Sequence, residues 1–208
     1  FTYAGSWTGL GVSVGLFSAA LGWALQKPIT GIAGWIMVVL KRPFEIGDRI
    51  IIGNVRGDVE DISLTHIYVK EIGGIIGGEE NSGRVVMIPN SKLFEQDITN
   101  YTQEDEYILD QVSTIITYES NIDKAMKIAV ESAKKHTKEV IKKTKKQPYA
   151  LTYFDSNGIN LRVRYFSPTK KLQRISSAVT KEIYDMVSKE KDLRFAYPHN
   201  EVILNKKK

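Results

Sequence analysis

Charge is absent from the first 26 residues and frequent after them. At about 1.5 Å per helical residue such a run reaches about 39 Å, enough to cross the hydrocarbon core of a bilayer. Small and large apolar residues alternate within it. On a wheel of about 100° per residue, Gly11, Gly15, Ser18 and Gly22 form one narrow stripe, and Ser13, Ala20 and Ala24 form a second. Between them lie Val12, Leu16, Ala19 and Trp23; Leu10, Val14, Phe17, Leu21 and Leu25 take the opposite face. Two small-residue stripes let one helix approach a neighbour closely on each side, as a ring of identical helices requires. The face between the stripes then points to the ring axis and is wholly apolar, which suits a constriction that gates by dewetting. The pattern also admits a single lipid anchor, a dimer, or a ring with the bulkier Leu10–Leu25 face on the axis.

Lys27-Pro28 is read as a break, because proline removes a backbone donor and disfavours helix at the preceding residue. Residues 29–40 form a second apolar stretch, too short to span alone. The expectation is a helix lying along the membrane interface with Trp35 at headgroup level. Lys27, Lys41 and Arg42 place the following chain on the cytoplasmic side by the positive-inside rule. Since the chain opens inside an apolar segment and shows no basic leader, further transmembrane helices are expected before it.

Residues 44–101 alternate in strand fashion. Strands are expected at 49–52, 57–62, 66–72 and 84–88, with a Gly53-Asn54 turn. The Gly73, Gly74, Gly77, Gly78 and Gly83 connection reads as a mobile hairpin loop; no Lys-Ser or Lys-Thr helix start follows, as a phosphate loop would need. Short strands with glycine turns suggest a small barrel. From Glu106 the order becomes βαββαβ, that of a ferredoxin-like split unit. Its first helix is expected to start from a Ser120/Asp123 capping box and to bury Ile122, Met126, Ala129 and Ala133. Its middle strands, 149–154 and 159–166, are joined by Asp155-Ser156-Asn157-Gly158. The second helix, about 170–189, turns Ile175, Val179, Ile183 and Met186 inward, and residues 201–204 form a last extended strand.

Composition removes several chemistries. With no cysteine there is no disulfide, thiolate metal site or cysteine nucleophile. His66, His136 and His199 are too far apart in sequence for a metal-ligand spacing. No cofactor is expected. Asp58, Glu60 and Asp61 form an acidic cluster of the kind surface turns carry, and no acid/base pair or cofactor loop points to an enzyme. A membrane-tethered RNA reader is the rival class; Phe44 and Tyr101 are isolated and the arginines do not cluster, so no nucleic-acid partner is expected. Lys134, Lys135, Lys138, Lys142, Lys143, Lys145 and Lys146 do cluster. They read as a solvated helix end complementing the dipole, or as a positive lining that favours anions.

Three stretches carry a resemblance. They are Ala24-Leu25-Gln26; Lys41-Arg42-Pro43-Phe44-Glu45-Ile46-Gly47-Asp48-Arg49-Ile50 with Gly57-Asp58-Val59-Glu60-Asp61-Ile62; and Val85-Val86-Met87-Ile88-Pro89-Asn90-Ser91-Lys92-Leu93 with Ile98-Thr99-Asn100. In order and separation they resemble the small-conductance mechanosensitive channel family. The resemblance implies a membrane protein of α+β class: a kinked transmembrane pore helix, an Sm-like β-domain, a ferredoxin-like α/β domain and a C-terminal barrel strand. The corresponding boundaries are 1–40 for the pore helix with its kink and interfacial second helix, then 41–102, 103–197 and 198–208. It further implies a homo-heptamer in the cell membrane, in contact with lipids and permeant ions, opened by membrane tension to relieve osmotic pressure. Matched by position, the pore seal falls at Ala19 and Trp23, where the family's better-known pattern has leucine, so Trp23 carries the seal. Leu16 stands where a small packing residue is more usual. Lys27 stands at the kink, formed with Gln26 and Pro28, where glycine is common.

Overall fold

The computed structural model describes residues 3–198, with side chains from residue 9. The expected strand at 201–204, the basic tail and His199 lie outside the described residues. The chain divides into two compact units, residues 1–104 and 105–208.

The first unit opens with one helix, α1, Tyr3–Lys41. The break expected at Lys27-Pro28 does not occur: Pro28 sits inside the helix, and residues 29–40 are its C-terminal half rather than a separate interfacial helix. The helix ends at Arg42, whose φ of +47 and N–H donated to the Val38 carbonyl (2.9 Å) make a left-handed cap. Pro43 reinforces that stop, because the residue before a proline is disfavoured in the right-handed helical region.

Five antiparallel strands follow: β1 (Arg49–Ile52), β2 (Val55–Ile62), β3 (His66–Ile72), β4 (Asn81–Pro89) and β5 (Ile98–Asn100), in the spatial order β4-β3-β2-β1-β5. Gly53, with φ +57, takes the first central position of the β1–β2 turn, where a II′ hairpin places glycine. The glycine-rich connection runs from β3 to β4 and closes with the Gly73 N–H on the Glu80 carbonyl (2.9 Å). The inward residues Ile50, Ile52, Val59, Ile67, Val69 and Ile88 pack with Phe44, Leu93 and Val38 of α1. Phe44, 1% exposed, is a core residue, which is why it stands apart in sequence from any stacking surface.

The second unit contains β6 (Tyr107–Ile116), α2 (Ile122–His136), α3 (Lys138–Thr144), β7 (Tyr149–Asp155), β8 (Gly158–Pro168) and α4 (Leu172–Val187). The antiparallel order β6-β8-β7, with β8 inserted between the two strands that α2 connects, is a split βαβ arrangement. On the far side of β6, Phe195 makes a bridge to Ile116. The cap of α2 is Asn121, whose side-chain oxygen accepts the Lys124 N–H (3.1 Å), and not Ser120. Ser120 is buried, and its hydroxyl accepts the Arg194 N–H (3.0 Å). The fully buried face of α2 is Ala125, Ile128, Ala129, Ser132 and Ala133, with the expected Ile122 and Met126 only partly covered at its margin. On α4, Leu172, Val179, Ile183 and Val187 are buried, and Ile175 and Met186 flank them.

An ionisable pair, Asp110 and Tyr165, meets at this core. Asp110 on β6 accepts a hydrogen bond from the hydroxyl of the buried Tyr165 on β8 (3.0 Å). Burial raises the Asp110 carboxyl above its ordinary value, against the opposing Gln111 N–H and Tyr165 hydroxyl. Burial first, then the Asp110 charge, raises the Tyr165 phenol, which stays neutral. A carboxyl whose protonated form the fold favours adds stability at low pH and gives it up as pH rises through its folded-state value. Thermal unfolding of wild type and Asp110→Asn between about pH 4 and pH 8 is expected to show the wild type losing stability relative to the variant as pH rises; parallel curves would contradict the burial cost.

Candidate functional site

The apolar half of α1 and the way its other half is held form the candidate site. Every residue from 9 to 29 is exposed. At about 1.5 Å per residue that stretch measures about 31 Å, close to the roughly 30 Å hydrocarbon thickness, and Lys27 is its only charged residue. Trp23 is 82% exposed and Leu16 68%, and Ala19 between them is exposed as well. A Cβ added at Gly11, Gly15 or Gly22 would meet nothing within 4 Å. Ser18, Ala20 and Ala24 are likewise uncovered, and the Ser13 hydroxyl turns back onto the Gly9 carbonyl (2.9 Å). The sequence-derived seal and packing residues therefore share one helix, on surfaces that the subunit itself leaves unpartnered.

At the proposed kink, the ring of Pro28 removes the hydrogen bond to the Ala24 carbonyl. The Thr30 hydroxyl donates to the Gln26 carbonyl (2.8 Å), a back-bond of the type that bends helices. Lys27 is exposed.

From residue 30 the helix meets protein. Gly31, Gly34 and Val38 are buried and lie three and four apart, on one face. They rest on the 3-10 turn Asn90–Phe94 that follows β4. The approach is very close at Gly34, where a Cβ would fall 2.4 Å from the Asn90 carbonyl oxygen. Asn90 is fully buried; its side-chain amide donates to the carbonyls of Ser63 and Leu64 (3.0 Å each), and its own N–H reaches the Thr65 carbonyl (2.9 Å). The helix is thus seated on a turn that is itself tied to the β2–β3 connection. On its other side Ile32, Ile36 and Val39 make an exposed apolar stripe.

The other quoted motifs converge just beyond the helix. The buried Arg49 guanidinium makes two bonds to Asp58, 2.9 Å from Nε and 3.2 Å from Nη2. Asp48 accepts from Thr102 Oγ1 (2.7 Å), Asn100 Nδ2 (2.9 Å) and the Glu45 N–H (2.8 Å), and Asn100 Nδ2 also reaches the Pro43 carbonyl (3.0 Å). The acidic cluster is therefore part of a strand: Asp58 pairs with Arg49, and Glu60 pairs with Lys70 (2.9 Å).

Structural roles for Gly34 and Asn90 were missed from sequence; the Gly31-x-x-Gly34 spacing was the visible signal for the first. The lysines spread over the end of α2 and over α3. Lys135 pairs with Glu182 (2.8 Å) and Lys143 with Glu106 (3.8 Å); Lys134, Lys138 and Lys142 surround Ile141 with no carboxylate in ion-pair range among the described residues. No cluster of potential metal ligands occurs among the described residues.

Known proteins share this architecture. A family model described as the β-domain of mechanosensitive ion channels matches residues 27–103, and one for the C-terminal part of the mechanosensitive channel MscS matches 110–191. An uncharacterized MscS family protein of Archaeoglobus fulgidus is 27% identical over 169 residues, covering 78% of this chain and 53% of the relative. A small-conductance mechanosensitive channel of Caldanaerobacter subterraneus is 26% identical over 207 residues, covering 97% of this chain and 67% of the relative. Among solved structures, Helicobacter pylori MscS in a closed state aligns with a TM-score of 0.71 at 18% identity, covering 96% of this chain and 74% of that one. Arabidopsis thaliana MSL1 aligns at 0.61 and 16% identity, covering 90% and 65%. The chain spans 53% to 64% of the length of the first curated relatives.

The dock makes a paired forecast. Gly34→Ala forces a methyl against backbone and is expected to cost about 1–3 kcal/mol, measured by chemical unfolding followed by circular dichroism. In Gly31→Ala the added Cβ would lie 3.9 Å from the Ser91 nitrogen, an ordinary contact, and that variant is expected to be neutral or slightly stabilised. Equal effects at the two positions would show that close approach at Asn90 is not what seats the helix.

Proposed function

The chain belongs to the mechanosensitive ion channel family, and on that premise we propose that it is the pore helix and cytoplasmic portion of a channel opened by membrane tension, releasing ions and small solutes on osmotic downshock. The family is one of ion channels, not of enzymes, and its members are membrane proteins. The observation that carries the reading is the division of α1: a membrane-length segment with no partner in its own subunit continues, without a break, into a segment seated on a β-unit. Tension acting on a ring of such helices is passed to a folded body through that seat.

In this reading seven subunits assemble through the two small-residue stripes, Gly11, Gly15, Ser18 and Gly22 on one side and Ser13, Ala20 and Ala24 on the other. Leu16, Ala19 and Trp23 face the axis. Trp23 is the bulkiest of them and forms the narrowest ring; Ala19, one turn above, leaves space. A narrow apolar passage stops ions by denying them hydration, so it closes without a charged gate. Gln26, Lys27 and Pro28 form the kink. The exposed Ile32, Ile36 and Val39 stripe meets lipid at the interface, and Lys27, Lys41 and Arg42 hold the following units on the cytoplasmic side of the cell membrane. There an Sm-like β-domain and a ferredoxin-like α/β domain follow.

Two experiments test this. Gly15→Leu is expected to impair assembly or gating; native mass measurement of the detergent-solubilised protein should show a heptamer for wild type and loss of it, or loss of channel activity, for the variant. Wild-type assembly and activity in the variant would remove helix contact at that stripe. Trp23→Ser makes the seal small and polar, so patch recordings under graded suction should show opening at lower tension, and cells should grow poorly. An unchanged or higher threshold would place Trp23 outward, at the headgroup level where tryptophan is also favoured.

A further inference from the structure

The sheet of the second unit has two chemically different faces. Ile159, Leu161, Val163 and Tyr165 of β8 enter the core with α2 and α4. By strand alternation Arg162, Arg164 and Phe166 stand on the opposite face. The register sets Arg164 between Tyr149 of β7 and Gln111 of β6, sets Arg162 beside Leu151, and sets Tyr153 beside Asn160, four residues from Arg164. Tyr149 and Tyr153 are 42% and 45% exposed. Sequence alone scatters these residues over three strands, so the arginines and rings do not read as a cluster until the sheet is formed.

Both guanidiniums are positioned without being neutralised. Arg164 Nε donates to the Gln111 side-chain oxygen (3.0 Å) and Arg162 Nε to that of Asn160 (3.2 Å). Arg162 also lies over the Tyr153 ring, 4.3 Å from its centroid. Neither arginine has a carboxylate in ion-pair range among the described residues. A third positive charge, Lys146, sits 4.1 Å above the ring of Phe166 on the same face. Fixed guanidinium forks recognise phosphate oxygens by paired, charge-assisted hydrogen bonds. Aromatic side chains on a sheet beside such cations are platforms for nucleobases.

We propose that this face binds a nucleoside di- or triphosphate, its phosphates on Arg162 and Arg164 and its base against Tyr149, while the Tyr153 ring backs the Arg162 guanidinium. The dimensions set the size. The two arginines are about 7 Å apart along one strand, Tyr149 lies one strand over from Arg164 at about 4.8 Å, and Tyr153 stands about 13 Å further along β7, too far to share a base with Tyr149; on a sheet three strands wide this holds one nucleotide and gives no track for a longer strand. The inference rests on the second unit alone and is independent of the channel reading.

The test is calorimetric titration of the full chain in detergent with ATP, tripolyphosphate, adenosine and a short oligouridylate. ATP is expected to bind with a Kd below about 1 mM. Arg162→Gln and Arg164→Gln should each weaken it about tenfold or more, and Tyr149→Ala should weaken ATP while leaving tripolyphosphate unchanged. Arg164→Lys keeps the charge and the stem but not the fork; it should lose ATP affinity several-fold even where a glutamine variant fails to fold by circular dichroism. The proposal is overturned by absent ATP binding, by a Tyr149→Ala variant that leaves ATP affinity intact, by an unchanged Arg164→Lys, or by oligouridylate binding more tightly than ATP. It is equally overturned if the arginine variants alter the oligomer mass, since the face then lies between copies.

Discussion

The absence of a side chain at Gly34 lets the helix backbone rest directly on the turn at Asn90. Any Cβ there would collide with a carbonyl oxygen that has little room to move, because Asn90 is held on three sides by the backbone of residues 63–65. The seat therefore couples two rigid things. One is a helix whose hydrogen bonds are internal; the other is a turn anchored in a five-stranded sheet. A lateral pull on the exposed half of the helix reaches the sheet through backbone contact rather than through flexible side chains.

A second set of contacts secures the chain where it leaves the helix. Arg42 turns the backbone, Pro43 prevents the helix from continuing, and Phe44 enters the core. Asp48 then gathers Thr102, Asn100 and the Glu45 amide, while Arg49 reaches across to Asp58. A buried guanidinium is costly unless its charge is met and its donors are used, and here a bidentate carboxylate does both. These residues sit far apart in sequence, from 43 to 102, and close one joint. Their concentration in the quoted motifs has a structural cause: they fix the angle and position at which the helix enters its β-unit.

The second unit divides its labour by sheet face. Beneath α2 and α4 it is apolar, apart from Asp110 and Tyr165, which satisfy each other. The opposite face carries arginines held by neutral amides and flanked by rings. Strand alternation alone produces this separation, since every second residue of β8 turns the other way.

The apolar helix, most strand positions and the split βαβ order were legible in the sequence, because they depend on local periodicity: 3.6 residues for a helix, two for a strand. The motif residues were legible as a pattern, but not their joint, since Asp48, Asp58 and Asn100 meet only when β1 pairs with both β2 and β5. The helix start at Asn121 rather than Ser120 was decided by burial, which draws the Ser120 hydroxyl to Arg194 and leaves Asn121 to cap. The clearest case is Pro28. Local chemistry says that a proline ends a helix, and the chain stays helical through it. The lost hydrogen bond is one local term, whereas Gly31, Gly34 and Val38 bind the next turns to the β-unit, and packing of that kind outweighs propensity.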